Sequence, residues 1–128
     1  MVVGDVAYTR AYIRELLRSE ADIRVVGEAS DGLEAIRQFD ALMPDVTTIC
    51  TNMPTMDGIT ATEAICRKHP IAKVIIISVR GDTNYIRRCA MAGACDYLIK
   101  PPMGDELLLA IRLAAGRGAS ASEKAATK

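Results

Sequence analysis

Apolar residues recur along this chain in two alternating rhythms, short continuous runs and longer stretches with a helical period. Met1 to Val3 is a short apolar run. Tyr8, Tyr12 and Leu16 then repeat at four-residue spacing with Ile13 and Leu17 beside them, which predicts an amphipathic helix ending near Ser19. Ile23 to Ala29 reads as a second strand, Asp31-Gly32 turns the chain, and Ile36, Phe39 and Met43 mark one face of a helix that Pro44 stops. Val46 to Cys50 is a third strand. A Thr60/Glu63 capping box opens a helix over Thr60 to Lys68, which Pro70 closes. Val74 to Ser78 is a fourth strand, and its Ile-Ile-Ile run suits burial on both faces, as in a parallel sheet. Gly81-Asp82 leads into a helix over Thr83 to Ala92 that Gly93 ends. Asp96 to Lys100 is a fifth strand, and after Pro101-Pro102 a last helix runs from about Gly104 to Ala115.

Five strand–helix units in succession predict parallel strands joined by right-handed crossovers, hence an α/β, doubly wound, three-layer sandwich. One domain is expected over residues 1–115. From Gly116 to Lys128 the sequence is polar and small with no apolar period, which reads as a flexible tail or the start of a linker.

Composition narrows the picture. Half of the 128 residues are hydrophobic but only 4% are aromatic, so the core is built of Val, Ile, Leu, Met and Ala. Sixteen basic residues balance sixteen acidic ones, so no net field draws the chain to a polyanion, and nucleic acid is not an expected direct partner. The longest aliphatic runs, Val74 to Ile77 and Leu107 to Ile111, fall far short of the ~18 residues of a membrane span. No membrane insertion is expected, and a cytoplasmic location is. Cys50, Cys66, Cys89 and Cys95 form no C-x-x-C pair and His69 has no partner at ligand spacing, which argues against a zinc site.

In an open parallel sheet, ligands sit beyond the carboxyl ends of the strands. Those ends carry Gly4-Asp5, Cys50-Thr51-Asn52, Ser78 and Lys100. A carboxylate, a thiol, a hydroxyl and an ammonium are therefore expected in one cleft. Each has an ordinary structural reading on its own: a Cys as a small hydrophobe, an Asp as a turn residue, a Lys as solvated surface. Their joint occurrence at consecutive strand ends favours a site.

Pro44-Asp45-Val46, Asn52-Met53-Pro54-Thr55-Met56-Asp57-Gly58, Ser78, Ala92-Gly93-Ala94 and Tyr97-Leu98-Ile99-Lys100-Pro101 carry a resemblance. In order and spacing, over about residues 2–115, the chain resembles the CheY-like receiver domains of two-component response regulators. The resemblance implies a flavodoxin-like sheet in strand order 2-1-3-4-5 with five helices. It also implies a phosphoryl group accepted from a histidine kinase, magnesium held by acids after strand one, and a cis Lys100–Pro101 peptide. Ser78, Tyr97, Lys100 and Pro101 match the family's switch and motif positions, and Asn52 matches the residue whose carbonyl completes the metal site.

The departures fall where the chemistry is. Six residues after Pro44, at the phosphoacceptor position, stands Cys50, and the first acid of the pair after strand one is Gly4, leaving Asp5. Strand one is also shorter than in the family. A thiol is a soft ligand and magnesium demands hard oxygens, so Asp5 and Asn52 form a vestigial metal site and no cofactor is expected unless that site still binds Mg2+. Three functions stay open. The first is a non-enzymatic pseudo-receiver that binds a partner without phosphorylation. The second is a conventional receiver phosphorylated by a histidine kinase, and the third is a thiol switch at Cys50. The partners open to it are a protein or fused output domain, a histidine kinase, and a second copy of the chain. The stretch Ser78 to Tyr85 together with Pro101-Pro102 also resembles receivers placed ahead of pilus-assembly ATPases.

Overall fold

The computed structural model describes the backbone of residues 1–127 and the side chains of residues 1–116. Ten elements alternate: β1 (Val2–Val3), α1 (Ala7–Arg18), β2 (Glu28–Ala29), α2 (Gly32–Leu42), β3 (Thr47–Cys50), α3 (Gly58–Lys68), β4 (Val74–Ser78), α4 (Thr83–Ala92), β5 (Asp96–Ile99) and α5 (Gly104–Thr127). The five strands are all parallel and ordered β2-β1-β3-β4-β5, as expected. The last helix, expected to end near Ala115 with a flexible tail from Gly116, instead continues as α5 to Thr127, for no proline interrupts that stretch; side chains beyond Gly116 lie outside those described.

Strand alternation divides the apolar residues between two cores. Val3, Ile49, Val74 and Ile76 pack with Ala35, Phe39 and Ile65 on one face of the sheet. Val2, Ile75, Ile77 and Leu98 pack with Ile13, Leu17, Leu107 and Ile111 on the other. The Val74–Ile77 run therefore serves both layers, and all four residues are fully buried. Successive strand side chains point to opposite faces, so a continuous apolar run is what a strand covered on both sides requires.

Besides α5, two elements differ from expectation. β2 is confined to Glu28–Ala29 although the apolar run starts at Ile23, because β1 offers only Val2 and Val3 as partners. The helix expected from Thr60 starts at Gly58, and the Asp57 carboxylate caps it by accepting from the Thr60 N–H at 2.7 Å. Glu63 pairs instead with Arg67, one turn on, at 3.4 Å. Gly58 is required where α3 begins, since a Cβ there would lie 2.4 Å from the Cys50 carbonyl oxygen. That close approach holds the Thr51–Asp57 loop over the end of β3, with the Gly58 N–H donating to the Thr51 carbonyl at 2.8 Å.

Candidate functional site

The carboxyl end of the sheet gathers most of the expected residues. Cys50 ends β3 and is 1% exposed, and Ser78 ends β4 and is 2% exposed. Lys100 follows β5 and is tied in by its backbone N–H, which donates to the Ser78 carbonyl at 2.9 Å. The Lys100–Pro101 peptide is cis, as the family pattern implies. The carbonyl of the next residue, Pro102, accepts from the Tyr12 hydroxyl at 3.0 Å, which fixes the start of α5 against α1.

Burial pushes the Cys50 thiol up from its ordinary pKa. The Lys100 ammonium beside it and, more weakly, Arg10 pull it down, while Asp5 pushes it up. Asp5, Cys50 and Lys100 thus share one neighbourhood, and the thiol stays protonated in it. Gly4 is pressed against the same group, for a Cβ on Gly4 would lie 3.1 Å from the Cys50 Sγ and 3.8 Å from the Arg10 Cγ. Asn52 is exposed, and among the described residues its side chain makes no hydrogen bond to this cluster.

Three residues that the motifs do not include, Arg10, Arg14 and Glu28, complete the arrangement, with Thr51 and Arg80 beside Ser78. Arg10, on α1, donates to the Gly4 carbonyl and, through Nε, to the Glu28 carboxylate at 3.2 Å. Arg14, one turn further, donates to the other Glu28 oxygen at 2.5 Å. The pairing holds the Glu28 carboxyl below its ordinary range, chiefly through Arg14. On the far side, the Thr51 hydroxyl donates to the Ser78 Oγ at 3.0 Å, and the Arg80 backbone N–H donates to the same oxygen at 3.2 Å. The i,i+4 spacing of Arg10 and Arg14 was visible in the sequence. What they face was not, because it depends on how α1 lies over β2.

Tyr97 is held inward on β5. Its hydroxyl donates to the Arg80 carbonyl, and its ring meets Tyr85 edge-on at 6.4 Å between centroids. The Arg80 guanidinium lies 4.0 Å over the Tyr85 ring and pairs with Asp82 at 3.1 Å. Ser78, Arg80, Tyr85 and Tyr97 therefore form one internally bonded group between β4, α4 and β5.

The donor set does not fit magnesium. The charged groups that act on Cys50 are the Asp5 carboxylate and the cations Lys100 and Arg10, an excess of one positive charge before any metal arrives. Glu28 is already bound by two guanidinium groups, and the Gly4 carbonyl by one of them. Among the described residues no group of three His, Cys, Asp or Glu side chains is placed to hold a metal ion. Like charges repel, so these cations oppose the arrival of a divalent ion.

Comparison with known proteins agrees with the fold and the motif order. The family model of the response regulator receiver domain matches residues 1–112. The chain is 36% identical over 115 residues to a chemotaxis protein CheY of Listeria monocytogenes, covering 90% of this chain and 96% of that protein. It is also 39% identical over 113 residues to a protein-glutamate methylesterase/protein-glutamine glutaminase of Geobacter sulfurreducens, of which it covers 30%. Among solved structures, the response regulator domain of Thermotoga maritima CheB superposes with a TM-score of 0.82 at 35% identity, covering 90% of this chain and 93% of that one. With a model matched over nearly its whole length, a relative covered end to end and the five-stranded parallel sheet in the same order, this chain belongs to the response regulator receiver family.

Proposed function

We propose that this receiver is a pseudo-receiver, a protein-interaction module of two-component signalling that works without phosphorylation and without catalysis of its own. The observation that carries the reading is the neighbourhood of Cys50. At the position where the family's phosphoacceptor aspartate is expected stands a buried, protonated thiol, flanked by Lys100 and Arg10 and by a glycine in place of the first acid. Acyl phosphate formation needs a carboxylate nucleophile and a metal that offsets charge on the transferred phosphoryl oxygens, and neither suits these residues.

The switch residues support the same reading. The Ser78 hydroxyl accepts from Thr51 and Arg80, and the Tyr97 hydroxyl is bonded to the Arg80 carbonyl, so both have partners inside the protein. A ligand shifts a conformational equilibrium only by binding one state better than the other, and a residue that already has its bonds gains little from following a phosphoryl group. Packing holds this end in one arrangement, and a partner reads it as it stands. The exposed apolar residues Val79, Ile99 and Met103, on the β4–β5 edge and at the entry to α5, offer that partner a surface.

The partner is a second protein or an output domain carried on the same polypeptide beyond α5, in the cytoplasm. The Geobacter methylesterase, with this domain forming 30% of its length, illustrates the second arrangement. The Ser78–Tyr85 stretch with Pro101-Pro102 favours an ATPase of pilus assembly as that output. Among the described residues no helix is long and apolar enough to cross a membrane.

A related structure of Borrelia burgdorferi CheY, 29% identical, is a complex with CheX, BeF3 and magnesium. The test follows from it. The protein is treated with magnesium and acetyl phosphate, or with beryllofluoride, and followed by intact mass and by amide NMR. The expected result is an unchanged mass and unchanged spectra. A stable gain of one phosphoryl group that is lost in Cys50→Ala refutes the proposal in favour of a conventional receiver.

A further inference from the structure

The amino-terminal end of the sheet, opposite Cys50, brings two other thiols near each other. Cys66 lies in the last turn of α3, and Cys95 immediately precedes β5. Both are half-buried, whereas Cys89 is 1% exposed within the core and Cys50 closes β3 at the far end.

The turn from α4 to β5 is wrapped around the Cys66 sulfur. Gly93, with φ +114°, reverses the chain there, and a Cβ on it would stand 2.8 Å from both the Cβ and the Sγ of Cys66. Only glycine fits. The Cys66 thiol donates to the Gly93 carbonyl at 3.7 Å. The turn is itself fixed, for the Ala94 N–H donates to the Cys89 carbonyl at 3.1 Å and the Cys95 N–H to the Val74 carbonyl at 2.8 Å. Cys95 thus enters the sheet two residues beyond the group that Cys66 touches, which is at most about 7 Å of chain. The charges report the same closeness, because an ionised Cys95 works against ionisation of Cys66 and, with burial, pushes that thiol up. Thiols coupled in this way ionise one at a time, so a thiolate stands beside a thiol.

We propose that Cys66 and Cys95 form a dithiol modification site whose substrate is a low-molecular-weight disulfide of the glutathione class and whose product is an internal disulfide. One protein thiolate attacks the small disulfide, forming a mixed disulfide and expelling one small thiolate, which takes up a proton. The second protein thiol loses its proton, attacks the mixed disulfide at the protein sulfur and expels the other small thiol. The protein gives up two hydrogens and two electrons, and one small disulfide becomes two thiols. Cys66 packs against one core and Cys95 against the other, so the new bond passes around the end of the sheet and ties the two layers. The loop it closes holds β4 and α4, and with them Ser78, Arg80 and Tyr85. Oxidation therefore stiffens the group beside the partner surface by a route that needs no phosphoryl transfer.

The folded protein is incubated with oxidised glutathione, quenched with an alkylating reagent, and followed by intact mass and by mapping of the linked peptides. The expected product has lost two hydrogens, retains no glutathione, links Cys66 to Cys95 and reverts with dithiothreitol. Cys66→Ser and Cys95→Ser are each expected to stop at one glutathione on the remaining member of the pair. The same incubation in urea measures the unfolded chain, and the fold is expected to speed closure at least about tenfold by holding the two thiols together. Stable glutathione on Cys66 of the parent protein, linkage of Cys66 to another cysteine or to a second copy, or closure as fast in urea as in the fold overturns the proposal.

Discussion

Restoring the missing acids is the sharpest challenge to the stripped-site reading, and its outcome can be sized. Gly4→Asp with Cys50→Asp adds two carboxylates beside Asp5, turning an excess of one positive charge into an excess of one negative. Space is tight but not closed, because a Cβ at Gly4 meets the Cys50 Sγ at 3.1 Å, so the two new side chains must part by a few tenths of an ångström. Overpacking of this kind costs about 1–3 kcal/mol, and like charges about 4 Å apart add a comparable penalty that a cation relieves. The double variant is therefore expected to be less stable than the parent without metal and to recover with it. With a magnesium Kd of about 0.1–1 mM, about 10 mM ion stabilises the folded state by RT ln(1 + [L]/Kd), roughly 1.4 to 2.7 kcal/mol. For a domain of this size that raises the melting temperature by roughly 5–15 °C. The assay is thermal unfolding with MgCl2 against KCl at matched ionic strength, on parent, double variant and the triple variant that adds Arg10→Gln. The parent should not move, the double variant should, and the triple should move further because Arg10 no longer crowds the Gly4 carbonyl. A parent that responds to magnesium as strongly as the double variant refutes the charge argument. A double variant that does not respond likewise refutes the argument that charge at this edge decides metal binding.

Other expectations follow from single contacts. Ser78→Ala leaves the Thr51 hydroxyl and the Arg80 N–H without their acceptor and should cost about 1–3 kcal/mol in urea unfolding, with Ser78→Thr recovering most of it. A maleimide or disulfide reagent at neutral pH should label the half-buried Cys66 well before Cys50, because burial raises the pKa of both thiols but shields Cys50 far more completely; Cys50 reacting first would revive the thiol switch. Glu28 is held below its ordinary value of 4.5 by Arg14 and Arg10, so its contribution to stability is present above that pH and is lost as pH falls through the lowered folded value. Melting temperatures measured from pH 5 down to 3 should fall, less steeply in Glu28→Gln.

The sheet was legible because its signal is carried by whole runs of residues. Val74–Ser78 could only be a strand buried on both faces, and each of the other strands was bounded by a turn residue or a proline. Convergence of Cys50, Ser78 and Lys100 followed from topology alone, since parallel strands bring their carboxyl ends to one edge. The start of α3 was misread. Thr60 and Glu63 have the spacing of a capping box, yet the tight approach of Gly58 to the Cys50 carbonyl sets the helix start two residues earlier, and Asp57 becomes the cap. The full extent of β2 was misread for the same kind of reason, for pairing depends on the neighbour's length and not on the strand's own composition.

Arg10 shows most clearly what a motif cannot carry. Nothing in its local sequence separates it from Arg14 or Arg18, which sit on the same helix, and Arg18 only meets Glu15 at the surface. Its role comes from position. α1 lies over the β1–β2 edge, so Arg10 reaches both the Gly4 carbonyl and Glu28, while Arg14 reaches Glu28 alone. A Cβ at residue 4 would press on the Cys50 Sγ at 3.1 Å and lie in ordinary contact with the Arg10 Cγ at 3.8 Å, so a longer side chain there would extend beside the Arg10 stem. The glycine and the inward guanidinium are thus compatible with each other, and an acid at residue 4 would have to displace or recruit that arginine. The glycine at residue 4 and the fixed internal cation are one arrangement. The sheet beneath owes its stability to aliphatic packing on its two faces and not to this edge. The fold therefore does not depend on phosphoryl chemistry at this edge.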